Sequence, residues 1–559
     1  MAVSDEYDAI VVGAGHNGLV AALYLAKAGL KTLVLERNAR IGGAVKSGEI
    51  TRPGFIHDLF ATNQNLFCAS PVYREFQQDL ARHGLRFCVS PKPYCNVFPD
   101  GTSLRIYQNP EQTLDLMRHH NPKDAEGWSY LNEEFKVFCS TLLPLYGTPL
   151  PSLQAIRVVA QAAREVGVDK LSSLIQIVLS STRELGQTYF ESEEARALIS
   201  SWGMHLDYGP SVSGGAMFPF LEAFADMNNG MAIAEGGASR IVDALAGMIR
   251  EKGGEIRTDS EVRRILTVDN RVSAVELGSG EQIGVRRAVI ANVTPTILFG
   301  QLLKGHPVEA EVSRRAEQYR YGPGTLMVHL ALSGPPKWAA GEDVGEFAYV
   351  HIGPYMADMD RTYSEAVDGY LPSSPFLIVG QTSVVDPSRA PAGKHVLWIQ
   401  VRVVPASIRG DAAGEIAKRQ WEEVKEVYAD RVIQKLETYA PGIRDLILDR
   451  VVFSPEDLER ENPNLVGGDS LGGSHHLRQN FLFRPFPGWS TYRMPVDGLF
   501  MAGASTWPGA GTNAVSGYLA AQQVIHPHAV RDRIVGGALA LGLAATAAAV
   551  AAKRLGGRR

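Results

Sequence analysis

Three glycines and one acidic residue near the N-terminus have the types and the spacing that bind a dinucleotide. Gly13, Gly15 and Gly18 form a G-x-G-x-x-G pattern, and Glu36 follows Gly13 by 23 residues. In such a site the first glycine permits a tight turn, the second lets the backbone approach a pyrophosphate, and the third lets a helix pack closely on a strand. Glu36 is placed to accept hydrogen bonds from an adenosine ribose.

The segments around these residues predict the structural unit that the site requires. Residues 8–12 form an apolar run typical of a buried parallel strand, residues 16–28 have the pattern of a helix, and residues 31–35 predict a second strand. The start of that helix favours phosphate, because its N–H groups are unpaired and its dipole is positive there. Strand, turn, helix, strand and terminal acid together predict a dinucleotide site.

The residues after Glu36 favour FAD over NAD. Arg40 and the pair Gly42 and Gly43 follow directly, so that a second glycine turn can approach the pyrophosphate and flavin beside a cation. G-x-G-x-x-G, the acid and R-x-G-G resemble the N-terminal signature of the FAD-containing amine oxidase and phytoene desaturase superfamily. This resemblance implies FAD as the cofactor.

A second segment, residues 235–265, carries the same resemblance. It predicts a glycine-rich turn, then a helix with apolar residues at helical spacing, then a strand, a turn and a strand. The resemblance implies that Val262 holds the adenine through its backbone. A plain surface helix followed by a hairpin stays an alternative for this residue.

A third segment, residues 493–524, predicts a strand that runs into a glycine-rich loop and a helix of small residues. A helix that begins near residues 512–515 can stabilise negative charge at the pyrimidine end of a flavin. The superfamily often has an acid where Ala504 stands, so we expect Ser505 or backbone N–H groups to bond the ribitol or phosphate instead. The resemblance implies flavin contacts at Gly503, Ala504, Pro508, Gly509, Gly511, Thr512, Asn513 and Gly517.

Cofactor segments at the start, middle and end of the chain predict a discontinuous domain. The expected fold class is α/β, with a Rossmann-like FAD-binding domain and an α+β substrate domain that contains a mixed or antiparallel sheet and helices. We assign the FAD-binding domain to residues 1–70, 231–300 and 485–530, and the substrate domain to residues 71–230 and 301–484. Residues 152–188 show two amphipathic helical patterns, which suit either a pocket wall, a membrane-facing entrance or an ordinary core.

Residues 454–473 and 484–503 resemble the phytoene-desaturase-like branch, which includes carotenoid ketolases and retinol saturase. This resemblance implies an FAD-dependent oxidoreductase that acts on CH–CH groups of a lipophilic, isoprenoid or carotenoid-like substrate. An amine oxidase is the alternative, with Trp489, Tyr492 and Trp507 near the flavin motif as an aromatic site for the amine. A non-catalytic flavin-binding protein at a membrane is a third hypothesis.

Few side chains need to react, because a flavin accepts the hydride itself and the protein positions the substrate. Desaturation also releases a proton, and His57, Asp58 and His205 are the candidate catalytic residues. Asp58 is the first choice, because its segment resembles the one that runs along the flavin in the superfamily. His475 and His476 are further candidates, although neighbouring residues on a strand point to opposite faces and no third ligand is spaced to form a metal site.

Composition and charge restrict the partners. A net charge of −5 gives no reason to expect nucleic acid. The four cysteines include no C-x-x-C pair, which excludes a flavin disulfide reductase. Because no second G-x-G-x-x-G follows a strand, we expect oxygen or a membrane quinone, rather than NAD(P)H, to exchange electrons with the flavin.

The C-terminal segment 531–559 is rich in alanine. Its residues 534–552 form 19 uncharged residues between basic flanks, a length just sufficient to cross a bilayer. Alanine and glycine contribute little to insertion, so an anchor, an interfacial helix and a simple alanine-rich tail all stay open. The N-terminus has no signal segment, and we expect a cytoplasmic protein that associates with a membrane through this tail.

Overall fold

The structure is a computed structural model that describes residues 4–308 and 310–527. Its strands are Ser4–Val12, Thr32–Leu35, Ser47–Gly48, His57–Asp58, Phe87–Ser90, Tyr94–Val97, Ser103–Ile106, Met231–Ala234, Glu255–Arg257, Val262–Val268, Arg271–Leu277, Gln282–Ala291, Gly324–Leu332, Tyr349–Ile352, Tyr370–Leu371, Phe376–Gly380, His395–Val404, Gly410–Asp411, Ile447–Phe453 and Leu499–Met501.

The α-helices are His16–Lys27, Asn65–Cys68, Pro71–Arg82, Pro110–His120, Pro122–Thr141, Leu153–Val166, Val168–Leu179, Thr182–Tyr189, Glu193–Met204, Met217–Asn229, Ser239–Glu251, Pro295–Ile297, Ala310–Glu317, Met356–Val367, Thr382–Val385, Trp421–Tyr439, Ile443–Leu446, Pro455–Glu461 and Val515–Ile525. Short 3-10 or π turns occupy Leu143–Gly147, Leu298–Leu302, Glu342–Glu346, Pro387–Arg389, Val466–Gly468, Leu477–Gln479 and Phe481–Phe483. None of the helices in the described ranges is both long enough and apolar enough to cross a bilayer.

One seven-stranded sheet, which we call the cofactor sheet, is built from segments far apart in the sequence. The strand Ser4–Val12 lies between Thr32–Leu35 and Gln282–Ala291 and runs parallel to both. Glu255–Arg257 extends the sheet beyond Thr32–Leu35, and Leu499–Met501 pairs with the end of Gln282–Ala291. The antiparallel strands Val262–Val268 and Arg271–Leu277 complete it.

The first and last helices of the described chain pack against each other beside this sheet. The amide of Gly517 donates a 3.0 Å hydrogen bond to Oδ1 of Asn17. A Cβ on Gly517 would lie only 2.0 Å from the carbonyl oxygen of Asn17, so this contact requires glycine. The two helix starts are therefore fixed side by side at the carboxyl ends of the parallel strands.

The second seven-stranded sheet, the substrate sheet, has a large antiparallel part. Its order is Ile447–Phe453, Gly324–Leu332, His395–Val404, Phe376–Gly380, Tyr349–Ile352, Tyr94–Val97 and Ser103–Ile106. Leu397, Ile399 and Val401 point to a core that also contains residues of the helix Trp421–Tyr439. Since neighbouring side chains alternate on a strand, Trp398, Gln400 and Arg402 point to the opposite face.

Helices cover the region beside the substrate sheet. Pro122–Thr141, Glu193–Met204 and Met217–Asn229 share a core rich in aromatic side chains. The two amphipathic patterns of residues 152–188 form the helices Leu153–Val166 and Val168–Leu179 and do not line the central cavity. A mainly parallel cofactor sheet joined to a mixed substrate sheet with helices confirms the predicted α/β fold class.

Candidate active site

A continuous cavity joins the cofactor sheet to the substrate sheet. Gly13, Gly15 and Glu36 line it on the side of the cofactor sheet. Trp202 and Tyr349 line it on the side of the helices and the substrate sheet. A bound dinucleotide and a second molecule can therefore meet inside this space.

Two glycine turns form the cradle for the dinucleotide. Gly13 has a φ of +93°, and a Cβ on Gly18 would lie 2.1 Å from the carbonyl oxygen of Gly13. Gly15 and Gly42 form a β-bridge, and a Cβ on Gly43 would lie 3.1 Å from Cα of Gly15. Because no side chain separates the two turns, their backbones can both face a pyrophosphate, as FAD requires.

Glu36 is held in position by backbone amides. Its Oε2 accepts a 2.9 Å hydrogen bond from the amide of Ala14, and its Oε1 accepts a 3.0 Å bond from the amide of Asn38. The side chain is 6% exposed and lines the cavity together with Val262. A carboxylate oxygen has several acceptor positions, so both oxygens can still accept bonds from a ribose.

The structure does not bring every predicted cofactor residue to the cavity. Arg40 is exposed, and its Nη2 donates a 2.9 Å hydrogen bond to the carbonyl of Ser47. Asn513 instead accepts a 3.0 Å hydrogen bond from the amide of Val515 at the start of the last helix. Gly18, Gly42 and Pro508 do not line the cavity, whereas Gly43, Val262, Gly503, Ala504, Gly511 and Thr512 do.

Arg484, which the sequence analysis missed, supports the glycine-rich loop at Ala504. It is fully buried, and its Nε and Nη2 donate hydrogen bonds of 2.8 and 2.6 Å to the carbonyl of Ala504. Its Nη1 donates a 2.9 Å bond to the carbonyl of Ser474. The hydroxyl of Ser505 donates a 2.6 Å bond to the carbonyl of Gly472, and Ser505 lines the cavity, so its oxygen can still accept a hydrogen bond from a ligand.

Asp58 and His57 do not line the cavity, so the first choice of catalytic residue is corrected. Oδ1 of Asp58 accepts hydrogen bonds from the Ser47 hydroxyl at 2.6 Å and the Ala238 amide at 2.8 Å, and it lies 3.1 Å from Nη1 of Arg389. The other oxygen accepts a 2.6 Å bond from the Thr62 hydroxyl. Asp58 therefore holds this segment against the helix Ser239–Glu251, away from the cavity lining.

His57 is enclosed beside Asp58. Its Nε2 lies 2.9 Å from the Thr51 hydroxyl, and its ring packs edge-on against His329 at 5.4 Å. Burial lowers the pKa of His57 to about 4. These contacts give His57 a structural role.

His205 is the predicted catalytic residue that does line the cavity. The Ser201 hydroxyl donates to the carbonyl of Ala197 at 2.8 Å, so it must accept the 2.8 Å hydrogen bond from Nδ2 of Asn96. Oδ1 of Asn96 then accepts from Nδ1 of His351 at 3.1 Å. Nε2 of His351 consequently carries no proton and accepts a 2.9 Å bond from Nε2 of His205.

This chain of hydrogen bonds leaves Nδ1 of His205 as an unprotonated acceptor. The atom has no hydrogen-bond partner in residues 4–308 and 310–527, yet it is not closed off from the cavity. Burial, with smaller contributions from His351 and Arg402, lowers the pKa of His205 well below its usual value. His205 is therefore neutral and can accept a proton from a molecule in the cavity.

Aromatic and polar residues that sequence reasoning missed form the rest of this end of the cavity. Tyr349 and Trp398 stack with ring centres 5.7 Å apart, and both line the cavity. Burial raises the pKa of Glu222, which favours the uncharged form of this cavity-lining acid. Gln400 and Arg402 also line the cavity. Their position at alternate residues of the apolar run HVLWIQVRVV is the one sequence signal that indicates a polar patch on this face of the strand.

The other predicted candidates lie behind the wall. Nε2 of His475 accepts a 2.9 Å hydrogen bond from the amide of Ala510, and Nε2 of His476 bonds the carbonyl of Asp207 at 2.8 Å. Nε1 of Trp507 donates to the carbonyl of Thr148 at 3.2 Å. With Tyr492 and Trp489, Trp507 stays outside the cavity lining, so the expected aromatic site for an amine is not formed by these three residues.

Comparison of the sequence with protein-family models assigns the chain to a family. The family model described as "Flavin containing amine oxidoreductase" matches residues 18–525. Pyridine nucleotide-disulfide oxidoreductase domain-containing protein 2 of Rattus norvegicus is 27% identical, with 93% of each chain covered. A subunit of the limonene dehydrogenase of Castellaniella defragrans is 27% identical, over 93% of this chain and 94% of the relative.

Further similarity is found to a phytoene desaturase and to solved structures. The neurosporene-forming phytoene desaturase of Rhodobacter capsulatus is 27% identical, over 92% of this chain and 93% of the relative. An oxidoreductase from Methanosarcina mazei has a TM-score of 0.59 at 16% identity, over 93% of this chain and 99% of that structure. Cyclohexylamine oxidase from Brevibacterium oxydans has a TM-score of 0.54 at 17% identity, with the same coverage.

These two structures share the fold, and the family match covers Gly18, the second glycine turn at Gly42 and Gly43, and the substrate sheet. The predicted cofactor, FAD, and the predicted relation to phytoene desaturases are confirmed. The chain therefore belongs to the flavin-containing amine oxidoreductase family, as an FAD-dependent oxidoreductase related to its carotenoid desaturase branch.

Proposed function

We propose that this enzyme desaturates, or carries out a related hydride transfer on, a lipophilic isoprenoid or carotenoid-like substrate. The observation that supports this proposal is the wall of apolar and aromatic side chains that continues from the dinucleotide cradle. The wall comprises Phe60, Leu66, Trp202, Phe218, Tyr349 and Trp398. The names of the limonene dehydrogenase and phytoene desaturase relatives agree with a substrate of this kind.

The residues of the cradle can hold FAD along the cofactor sheet. Gly13, Gly15 and Gly43 would face the pyrophosphate, Glu36 the adenosine ribose, and Thr512 the flavin end near the last helix. When bound, FAD supplies an acceptor for a hydride. The other residues of the cavity position the substrate and exclude water.

His205 would remove the proton that accompanies the hydride. In a desaturation, one C–H bond breaks with its electron pair to the flavin and the neighbouring C–H bond loses a proton, whose electron pair forms the new double bond. Nδ1 of His205 is the unprotonated acceptor in the cavity, and Trp202 lies against its ring with centres 4.4 Å apart. The ring is thereby held in one orientation toward the substrate.

We further propose that oxygen or a membrane quinone reoxidises the flavin in a cytoplasmic enzyme at a membrane surface. The support is the lipophilic substrate together with the apolar segment 534–552 and its basic flanks. That segment lies outside the described residues.

An amine oxidase is a weaker interpretation of the same site. A protonated amine would have to enter a cavity that contains the Arg402 side chain, and like charges in a low dielectric repel strongly. Glu222 offers little compensating negative charge, since burial raises its pKa and favours the uncharged acid.

An anaerobic absorbance titration of the purified FAD-loaded enzyme tests the proposal. We expect phytoene or a related isoprenoid hydrocarbon to bleach the flavin, with no bleaching by putrescine or cyclohexylamine. Bleaching by amines alone would replace the proposal with an amine oxidase, and bleaching by NAD(P)H alone would point to a saturase or an oxygenase. A flavin that no isoprenoid, amine or nicotinamide reduces would support the non-catalytic hypothesis.

A further inference from the structure

Arg402 places a guanidinium group in the wall of the cavity. It lies on the strand His395–Val404, on the same face as the cavity residues Trp398 and Gln400. It belongs to the substrate sheet and to none of the three segments that form the dinucleotide cradle. Arg402 is therefore placed to contact a substrate.

The hydrogen bonds of Arg402 involve only one of the three nitrogen atoms of its guanidinium group. Its Nη1 donates to the hydroxyl of Ser470 and, at 3.3 Å, to the hydroxyl of Thr325. Its Nε is buried with no partner, and its Nη2 donates to no group in the described part of the chain. Unpaired donors of a charged group are costly inside a protein unless a ligand accepts from them.

Arg402 forms no ion pair with any described carboxylate. Asp469 instead accepts hydrogen bonds from the backbone amides of Leu471 at 2.7 Å and Gly473 at 2.8 Å. Asp207 is used as well, by the hydroxyl of Ser474 and by His476.

The charge of Arg402 persists at neutral pH. Burial lowers its pKa to about 10, which leaves the group protonated. Burial also raises the pKa of Glu222, the acid on the helix Met217–Asn229 that lines the cavity, and so favours its uncharged form. The substrate end of the cavity thus combines aromatic walls with a positive charge that Asp469 and Asp207 influence without forming an ion pair with it.

We propose that Arg402 binds the carboxylate of an amphipathic substrate, an isoprenoid acid whose apolar chain lies along Trp398 and Tyr349. This inference rests on the proposed function and narrows its substrate class. Charge-assisted hydrogen bonds from a guanidinium to a carboxylate are about twice as strong as neutral ones, which gives the site a preference for an acid over an alcohol. Ser470 would fix the orientation of the guanidinium through its bond to Nη1.

Binding of three matched probes tests this inference. Geranylgeranoic acid, geranylgeraniol and the corresponding hydrocarbon are titrated into the FAD-loaded enzyme, and perturbation of the flavin spectrum reports binding. We expect the acid to bind at least about tenfold more tightly than the alcohol, as one charge-assisted contact allows. Arg402→Gln should abolish that preference while binding of the hydrocarbon stays the same, and Arg402→Lys should retain part of it.

Arg450→Gln is the matched control. Arg450 lies on the neighbouring strand Ile447–Phe453 and pairs with Glu426 and Asp430, outside the cavity. This variant loses the same charge from the same sheet and should keep the preference for the acid. FAD content is measured for every variant, because loss of FAD from Arg402→Gln would show that the side chain holds the cofactor and would overturn the inference.

The outcomes separate this inference from the proposed function. Equal affinity of the wild-type enzyme for acid and alcohol would overturn the role of Arg402, and the proposed function would stand if an isoprenoid hydrocarbon bleaches the flavin. Failure of all three probes to bind, together with no bleaching by any isoprenoid, would overturn both.

Discussion

Nε2 of His205 lies 2.9 Å from Nε2 of His351, and His205 is the donor in this pair. The direction follows from Asn96, whose amide oxygen accepts a hydrogen bond from Nδ1 of His351 and so fixes the proton of that ring on Nδ1. The hydrogen bond made by one ring nitrogen decides the role of the other. Three residues outside the cavity therefore determine that His205 presents a lone pair, rather than a proton, to the substrate.

Replacement of His205 by glutamine should remove the base and keep the donor to His351. We expect the rate of flavin reduction by substrate to fall about 10²- to 10⁴-fold, the usual contribution of a positioned base. Stopped-flow absorbance under anaerobic conditions measures this rate. His83→Gln, at a surface histidine that bonds Glu251, is the control and should be unaffected. An unchanged rate in His205→Gln would exclude His205 as the base.

Replacement of Asn96 by leucine should act through the tautomer of His351. Without the amide oxygen, His351 can carry its proton on Nε2, and His205 would then turn its own proton toward the cavity. We expect flavin reduction to slow about tenfold while substrate binding stays unchanged, because Asn96 positions the base without touching the substrate. A weaker affinity at an unchanged rate would contradict this role.

Replacement of Gly517 by alanine should separate the first and last helices. The new methyl group would overlap the backbone of Asn17, and such overpacking costs about 1–3 kcal/mol. We expect a lower free energy of unfolding and a lower FAD content, measured by urea titration and by absorbance. Gly334→Ala, where the added methyl meets no atom within 4 Å, should change neither quantity.

The buried histidines should make the protein less stable in mild acid. Burial lowers the pKa of His57 to about 4 and that of His351 to about 3. In the unfolded chain both titrate near 6.5, so below that pH the unfolded state binds more protons than the folded state. The folded state that holds these histidines neutral therefore has its full stability above pH 6.5 and loses stability as the pH falls toward 4.

Between pH 6.5 and its folded-state pKa, each of these histidines should cost up to about 1.4 kcal/mol for every pH unit. Urea titrations at pH 7.5, 6 and 5 on the wild-type protein and on His57→Gln measure the effect. The variant should lose less stability than the wild type over this interval. Parallel pH dependence of the two proteins would show that His57 does not contribute.

The parts of the site that depend on local sequence could be predicted. The strand and helix expected at residues 8–12 and 16–28 correspond to Ser4–Val12 and His16–Lys27, because glycine turns and apolar periodicity act over a few residues. The fold class and FAD follow from the same motifs. The exact domain boundaries and the segment 534–552 stay predictions.

The substrate end depends on contacts between distant segments. Asp58 looked like a base beside the glycine turns, but its partner Arg389 is 331 positions later in the chain, and nothing local indicates that pair. Arg402 lies in an apolar strand and Glu222 in an apolar helix, and the apolar pattern of these elements does not predict a functional role for a single charged residue. Only the packing of the substrate sheet against the helices shows that both face one cavity.

The contact between Asn17 and Gly517 also sets an order of events during synthesis. The two residues are 500 positions apart, and at 5–20 residues per second the ribosome needs about 25–100 s to travel between them. The N-terminal glycine turns are made first, and the helix that fixes their position follows only after those 500 residues. The nascent chain must therefore keep an unfinished cofactor site until the helix Val515–Ile525 has been made.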